Sequence, residues 1–253
     1  MTTILCDKHR FENIEAVLFD KDGTLACVEP YLIALGKARA QRIEALAYEV
    51  FPRAAAGIGD DILIAFGQTD RAVDPAGLLA VGSRAENEIA AAAYVAARGL
   101  GWVAALSLVR KAFTQGAQSL PEKVGQTPLL FGVATLFEWL KSNGVAIGIV
   151  SSDTHSEVTA FITHYELDVD WHCGVEGAAL TKTQPGFLSL ACRTMDVTPA
   201  QVLIIGDSAS DMALASQGAA GFIGISGGWS TPPPFEASVI SATRLSQLQV
   251  LGE

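Results

Sequence analysis

The chain has no apolar run approaching the ~18 residues that a membrane-spanning helix needs, and its first ten residues, with Asp7, Lys8, His9 and Arg10 among them, lack the apolar centre of a secretory leader. No membrane partner is therefore expected, and the protein is read as cytoplasmic. Bases are scarce. Seventeen Lys and Arg stand against 27 Asp and Glu, a net charge of −10, which argues against a nucleic-acid or anionic-membrane surface. The cysteines are few and far apart: Cys6, Cys27, Cys173 and Cys192 form no CxxC pair, so neither a zinc site nor a disulfide framework is expected. There is no internal repeat, and the only compositionally biased stretch is Pro232-Pro233-Pro234, a surface-loop composition.

What remains is ample for a packed core, since 50% of the 253 residues are hydrophobic. From Leu129 onward, apolar runs alternate with helical patterns. The spacing predicts a helix over 132–143 ended by Gly144, a strand over 145–150, a helix over about 156–165 and a short strand near 172–175. A helix opening at Pro185, the strand 202–205, a helix over 211–217 and the strand 221–225 complete the series. Such alternation implies a parallel sheet covered on both faces, with ligands bound at the carboxyl ends of its strands.

Between Leu25 and Leu129 the strand pattern disappears and about five helices are expected. Pro30 opens the first, Asp74-Pro75 begins another, Ser83-x-x-Glu86 fits a capping box, and Gly99 and Gly116 stand where helices can stop. The fold class expected is α/β, a Rossmann-like parallel-sheet core with an inserted all-helical cap domain. Residues 1–26 and 129–253 form the core, and residues 27–128 form the cap.

One stretch concentrates the chemistry. Val17-Leu18-Phe19 runs into Asp20-Lys21-Asp22-Gly23-Thr24-Leu25, so a strand ending near Phe19 delivers Asp20 and Asp22 at its carboxyl end. Strand side chains two apart point the same way, which lets both acids face one substrate. Two close carboxylates raise each other's pKa unless a cation joins them, so the pair implies a bound metal, a general acid, or both. An ordinary Asp-rich turn after a strand has the same spacing.

Three further segments, in order, distinguish these readings. Ser151 follows the apolar run Ala146-Ile147-Gly148-Ile149-Val150; Lys182 lies in an expected loop with Pro185 three residues on; and Gly206-Asp207-Ser208-Ala209-Ser210-Asp211 follows Val202-Leu203-Ile204-Ile205. With Asp20 to Leu25 as a DxDGT motif, these resemble the four ordered motifs of the haloacid dehalogenase superfamily of phosphohydrolases. The helical insert between the first two motifs resembles the cap of the subfamily that includes phosphoglycolate phosphatases and β-phosphoglucomutases. Because its first connection leaves the core just after Asp22, the insert is expected to hinge over the site, excluding water and choosing substrate.

The resemblance implies a role for each residue. Asp20 is the nucleophile that forms an aspartyl-phosphate, and Asp22 protonates the leaving oxygen and later activates water. Magnesium, which prefers hard oxygen ligands, is held by Asp20, the backbone carbonyl of Asp22 and Asp207, with Asp211 supporting one helical turn on. Asp207 and Ser208 capping a helix is the plainer alternative. Ser151 donates to a phosphate oxygen or simply caps the following helix, and Ser152 or Asp153 can play either part, while Thr24 with the amides of the Gly23 turn helps hold phosphate. Lys182 supplies positive charge between phosphoryl group and nucleophile. Many relatives carry KPxP, however, and Lys182-Thr183-Gln184-Pro185 keeps only the second proline, which leaves Lys141 and Lys123 as competitors.

Within the cap, Arg39 interrupts the stripe Leu32, Leu35, Ile43, Leu46, Val50. It is expected either to meet an anionic part of the substrate or to reach solvent or a cap carboxylate. The partner implied is a small phosphorylated metabolite, phosphoglycolate-like as a first expectation, and the activity a magnesium-dependent phosphomonoesterase. A phosphomutase shares every core residue, and a catalytically idle binding protein on the same fold is the third reading. The dehalogenases of the family lack the second Asp, so Asp22 argues against that activity.

Overall fold

The computed structural model describes residues 2–175 and 180–252. The chain divides into two compact units, one made of Met1–Val28 with Thr127–Glu253 and the other of Glu29–Gln126. No helix among the described residues is long and apolar enough to cross a membrane.

The larger unit holds nine strands among the described residues: β1 (Thr2–Cys6), β2 (His9–Ile14), β3 (Ala16–Asp20), β4 (Ala146–Ser151), β5 (Trp171–Gly174), β6 (Val202–Gly206), β7 (Gly221–Ile225), β8 (Ser241–Ala242) and β9 (Leu248–Leu251). Six form one sheet in the order β5-β4-β3-β6-β7-β8, with every neighbouring pair parallel. The central strands β3 and β6 are buried along their whole length, which is why Ala-Val-Leu-Phe and Val-Leu-Ile-Ile are continuous apolar runs rather than alternating ones. The chain moves outward from β3 through β4 to β5, then returns to place β6 on the other side of β3. The strand order therefore reverses beside β3, where open α/β sheets form a crevice at their carboxyl ends.

A second, three-stranded sheet of order β2-β1-β9 was not expected from the sequence. Its strands pair antiparallel, and the reason it escaped a period-2 reading lies in β2. Phe11 and Ile14 are its two buried residues, three apart. The register with β1 shifts between Thr2 and Ile4, and Asn13 takes a positive φ of 59°. The extra residue of this bulge restores Ile14 to the buried face and breaks the alternation.

The helical unit contains α1 (Glu29–Val50), α2 (Pro52–Ala55), α3 (Ile58–Ala65), α4 (Leu78–Val81), α5 (Arg84–Ala97) and α6 (Trp102–Gln118). The expected capping box opens α5, with Ser83 Oγ accepting from the Glu86 amide at 3.2 Å and the Ser83 amide donating to Glu86 Oε2 at 2.7 Å. Two expectations here are corrected. Asp74-Pro75 forms a turn, with Asp74 Oδ1 accepting from the Ala76 amide at 2.9 Å, and the next helix starts only at Leu78. Gly116 does not stop a helix but lies inside α6, where a Cβ would stand 3.3 Å from the backbone of Ala38. It is a point of close approach between α6 and α1. Gly99 does follow the end of α5, in the left-handed region at φ 109°.

Among the described residues, four α-helices complete the larger unit: α7 (Val133–Ser142), α8 (His155–His164), α9 (Phe187–Met195) and α10 (Ala209–Ala215). Helix α9 begins at Phe187 after Gly186 rather than at Pro185. One face of the sheet packs Ala16, Leu18, Val202 and Ile204 against Phe187, Leu188 and Ala191 of α9 and Leu214 of α10. On the strand whose alternate residues face the other way, Phe19 meets Phe137 of α7 with ring centroids 5.1 Å apart. Burying each such side chain stabilises the unit by about 1.5–3 kcal/mol.

Candidate active site

The carboxyl ends of β3, β4 and β6 carry Asp20, Ser151 and the residue just after Gly206, Asp207. After β3 the chain turns tightly, the Leu25 and Ala26 amides donating to the Lys21 carbonyl at 2.9 Å and the Gly23 amide to the Ala26 carbonyl at 2.9 Å. Gly23 sits at φ 84°, and a Cβ there would overlap the Asp207 carboxylate and the Trp229 indole. The turn needs glycine both for its backbone conformation and for this contact.

Lys182, from the segment between β5 and α9, lies 4% exposed with its Nζ donating to Asp20 Oδ1 and, at 2.9 Å, to Asp211 Oδ1. The competitors lie elsewhere: Lys141 pairs with Asp170 at 2.8 Å and Asp168 at 3.0 Å, and Lys123 is in the helical unit beside the Tyr31 ring. Gln217, just after α10, holds the lysine segment by donating to the Lys182 carbonyl at 2.9 Å.

Asp20, Asp207 and Asp211 each offer an oxygen within 4.8 Å of the others. Asp211 extends from the first turn of α10 and accepts at Oδ2 from Ser208 Oγ at 2.6 Å. Asp207 is held at both oxygens, by Thr24 Oγ1 at 3.2 Å on Oδ1 and by the Trp229 indole N–H at 2.6 Å on Oδ2. Thr24 is fully buried, and its hydroxyl donates to the Asp207 carboxylate.

Concentrated buried charge shifts Asp20, Asp207 and Lys182. Burial pushes the Asp20 carboxyl up, the Lys182 ammonium pulls it back, and the charges of Asp211 and Asp22 push it up again, to about 7. Burial likewise raises Asp207 well above the ordinary carboxylate range, aided by Asp20 and Asp211 and opposed by the Trp229 hydrogen bond and by Lys182. Burial disfavours the Lys182 ammonium, but Asp20 and Asp211 outweigh it and hold its pKa above the ordinary lysine value. A cluster of hard carboxylate oxygens with too little positive charge beside it fits a hard divalent cation, which would take the place of the protons that Asp20 and Asp207 otherwise retain.

On the β4 side, Ser151 is buried and its Oγ accepts from the Asp153 amide at 3.2 Å, which leaves the hydroxyl able to donate. Ser152 is exposed. The Asp22 side chain engages the Lys21 ammonium, which also pairs with Asp153 Oδ2 at 2.9 Å. Arg39 lies in the helical unit, buried on α1 with its guanidinium carbon 4.4 Å from the centroid of the Phe113 ring; Val50, the last residue of its stripe, is exposed.

A family model for haloacid dehalogenase-like hydrolases matches residues 14–218. The chain belongs to that family. Solved structures of the same fold include a predicted phosphoglycolate phosphatase from Haemophilus somnus, 18% identical with a TM-score of 0.63, over 92% of this hydrolase and 96% of that chain. A subfamily IA, variant 1 hydrolase of the superfamily from Geobacter sulfurreducens is 17% identical with a TM-score of 0.56, over 93% and 94%. The β-phosphoglucomutase of Clostridium difficile is 15% identical with a TM-score of 0.54, over 92% of each. A comparison with curated proteins gives no match.

Two site residues of this hydrolase were not assigned roles from sequence. Trp229 lies 22 residues from the carboxylate it binds, a separation with no periodic meaning. Lys21 stands inside the first motif, but its direction depends on Asp153, far off in the chain.

Proposed function

We propose that the protein hydrolyses a small-molecule phosphate monoester through an aspartyl-phosphate on Asp20, with Mg2+ as cofactor. What supports this most is Lys182 bridging Asp20 and Asp211 beside Asp207 at the carboxyl ends of β3 and β6.

In this reading an Asp20 oxygen bonds to phosphorus as the bond from phosphorus to the leaving oxygen breaks, and Asp22 gives that oxygen a proton. Asp22, now a carboxylate, then accepts a proton from water as the water oxygen attacks phosphorus. The bond to Asp20 breaks and inorganic phosphate leaves. Lys182 offsets charge beside the nucleophile, and Ser151 donates its hydroxyl to a phosphoryl oxygen. Asp20, Asp207 and the carbonyl of Asp22 would hold Mg2+, with Asp211 supporting, and the ion when bound would neutralise charge on the phosphoryl oxygens. Thr24 serves Asp207, and Ser152 is left to the phosphate.

A phosphoglycolate-like compound is the first substrate to test, being small and carrying a carboxylate as a second anionic group. The same reading gives Arg39 the second anionic group, supported by its charge within an otherwise apolar stripe. Loss of efficiency in Arg39→Ala confined to substrates with a second anionic group, with p-nitrophenyl phosphate unaffected, supports that assignment; equal loss on both removes it. The activity itself is tested by screening phosphorylated metabolites with and without Mg2+, using Asp20→Asn as control. Metal-independent turnover, or full activity in the variant, overturns the mechanism, and isomer formation without phosphate release indicates a mutase.

A further inference from the structure

Lys21, between the two acids of the first motif, is 2% exposed and among the largest fully buried side chains of the protein. Burying an ammonium is costly unless it is paired and hydrogen-bonded. Here Nζ donates to Asp22 Oδ1, pairs with Asp153 Oδ2 at 2.9 Å, and lies 5.2 Å from the centroid of the Phe161 ring on α8. The Asp153 amide in turn donates to Ser151 Oγ. One ammonium therefore joins the turn after β3 to the turn after β4.

Stability does not account for a lysine there. A hydrophobic side chain of similar volume in place of a buried ion pair is often neutral or stabilising, and Phe161 already offers an apolar wall. What an apolar residue lacks is a hold on the Asp22 carboxylate, which is 23% exposed and attached to the chain by a short, rotatable stem.

We propose that Lys21 is a positioning residue, anchored by Asp153, that holds the Asp22 carboxylate in the orientation from which it exchanges protons with the leaving oxygen and with water. This rests on the phosphomonoesterase reading above. The arrangement also gives Asp153 a part, since it fixes Lys21 and Ser151 together.

The test separates the two chemical steps. With p-nitrophenyl phosphate the leaving group departs without a proton, so formation of the aspartyl-phosphate does not depend on Asp22, whereas its hydrolysis does. In rapid-mixing experiments Lys21→Met is expected to release the first equivalent of nitrophenolate at a rate within about twofold of the unmodified protein, while steady-state turnover falls by about 10²-fold, the lower range for losing a positioned acid–base group. Lys21→Arg should restore part of the second step. Asp153→Asn, which removes the anchor and keeps the ammonium, should slow the second step in the same selective way and decides the matter if Lys21→Met does not fold. Equal loss of both phases in Asp153→Asn, or in a folded Lys21→Met, overturns the proposal, as does unaltered turnover. Absence of phosphate release by the unmodified protein removes the phosphatase reading and this proposal with it.

Discussion

Trp229 donates its indole N–H to Asp207 Oδ2 at 2.6 Å, while Thr24 holds the other oxygen of the same carboxylate. In the proposed reading Asp207 is a metal ligand, and losing a partner that orients such a ligand typically costs about 10–100-fold in metal affinity or activity. Trp229→Phe keeps an aromatic ring and removes only the donor. It is expected to raise the Mg2+ concentration for half-maximal activity by about tenfold or more, with turnover largely recovered at saturating Mg2+. An unchanged Mg2+ requirement would show that Asp207 is oriented without the indole.

Asp20 and Asp207 set a pH dependence whose sign follows from their shifts. Both are raised, Asp20 from 3.8 to about 7, so the folded protein retains protons that the unfolded chain has released. The stability that Asp20 contributes to the metal-free protein is therefore present below the ordinary carboxylate value and lost as pH rises through about 7, and Asp207, also raised, acts in the same sense. Asp170 and Glu86, whose values are lowered, act in the opposite sense only at pH below the ordinary carboxylate value, whereas His172, lowered from 6.5 by burial and by His155, opposes the fall within the window and only as pH rises toward 6.5. Thermal melts with a chelator should show Tm falling between pH 5 and 8, with Asp20→Asn flattening the slope. Added Mg2+ should raise Tm more at pH 8 than at pH 5, because protons no longer compete for the oxygens. A larger Mg2+ effect at pH 5 would contradict this.

Lys182→Met leaves Asp20 and Asp211 facing each other without their ammonium. Removing one member of a buried pair costs about 3–5 kcal/mol, an upper bound here because the carboxylates can take up protons. Denaturant unfolding should show the larger loss at pH 8 and a smaller one at pH 6. Mg2+ is expected to restore much of the stability, yet turnover should stay down by about 10²–10³-fold, as for loss of a preorganised donor to developing charge. Restoration of both by Mg2+ would assign Lys182 a purely structural part.

The strands that carry the site were legible because both faces of β3, β4 and β6 are covered, which turns burial directly into apolar runs, and because Asp20, Ser151 and Asp207 stand at or just past the ends of those runs. The second sheet was not, since the bulge at Asn13 removes the alternation that would announce β2. Asp74-Pro75 resembles a helix start but closes on itself as a turn through the Asp74 side chain; local sequence supports both outcomes equally. Lys182 was legible only through its motif. Its selection over Lys141 is tertiary, resting on Asp168 and Asp170 claiming the latter at the surface.

Gly116 poses the opposite problem, a residue that reads as a helix stop and instead lies against α1. Alanine in a helix interior is favoured over glycine by about 0.8–1 kcal/mol. A Cβ at this position, however, meets the Ala38 carbonyl group and the Arg39 amide nitrogen at 3.3 Å, closer than comfortable contact, and backbone on both sides cannot swing away as a side-chain tip can. Gly116→Ala is therefore expected to gain little or nothing, the propensity term being offset by separation of α6 from α1. Gly116→Leu should destabilise by about 1–3 kcal/mol, the usual effect of overpacking. Urea unfolding of the two variants checks this: a full 1 kcal/mol of stabilisation in Gly116→Ala would mean that the helices do not approach here as closely as the contact with Ala38 requires.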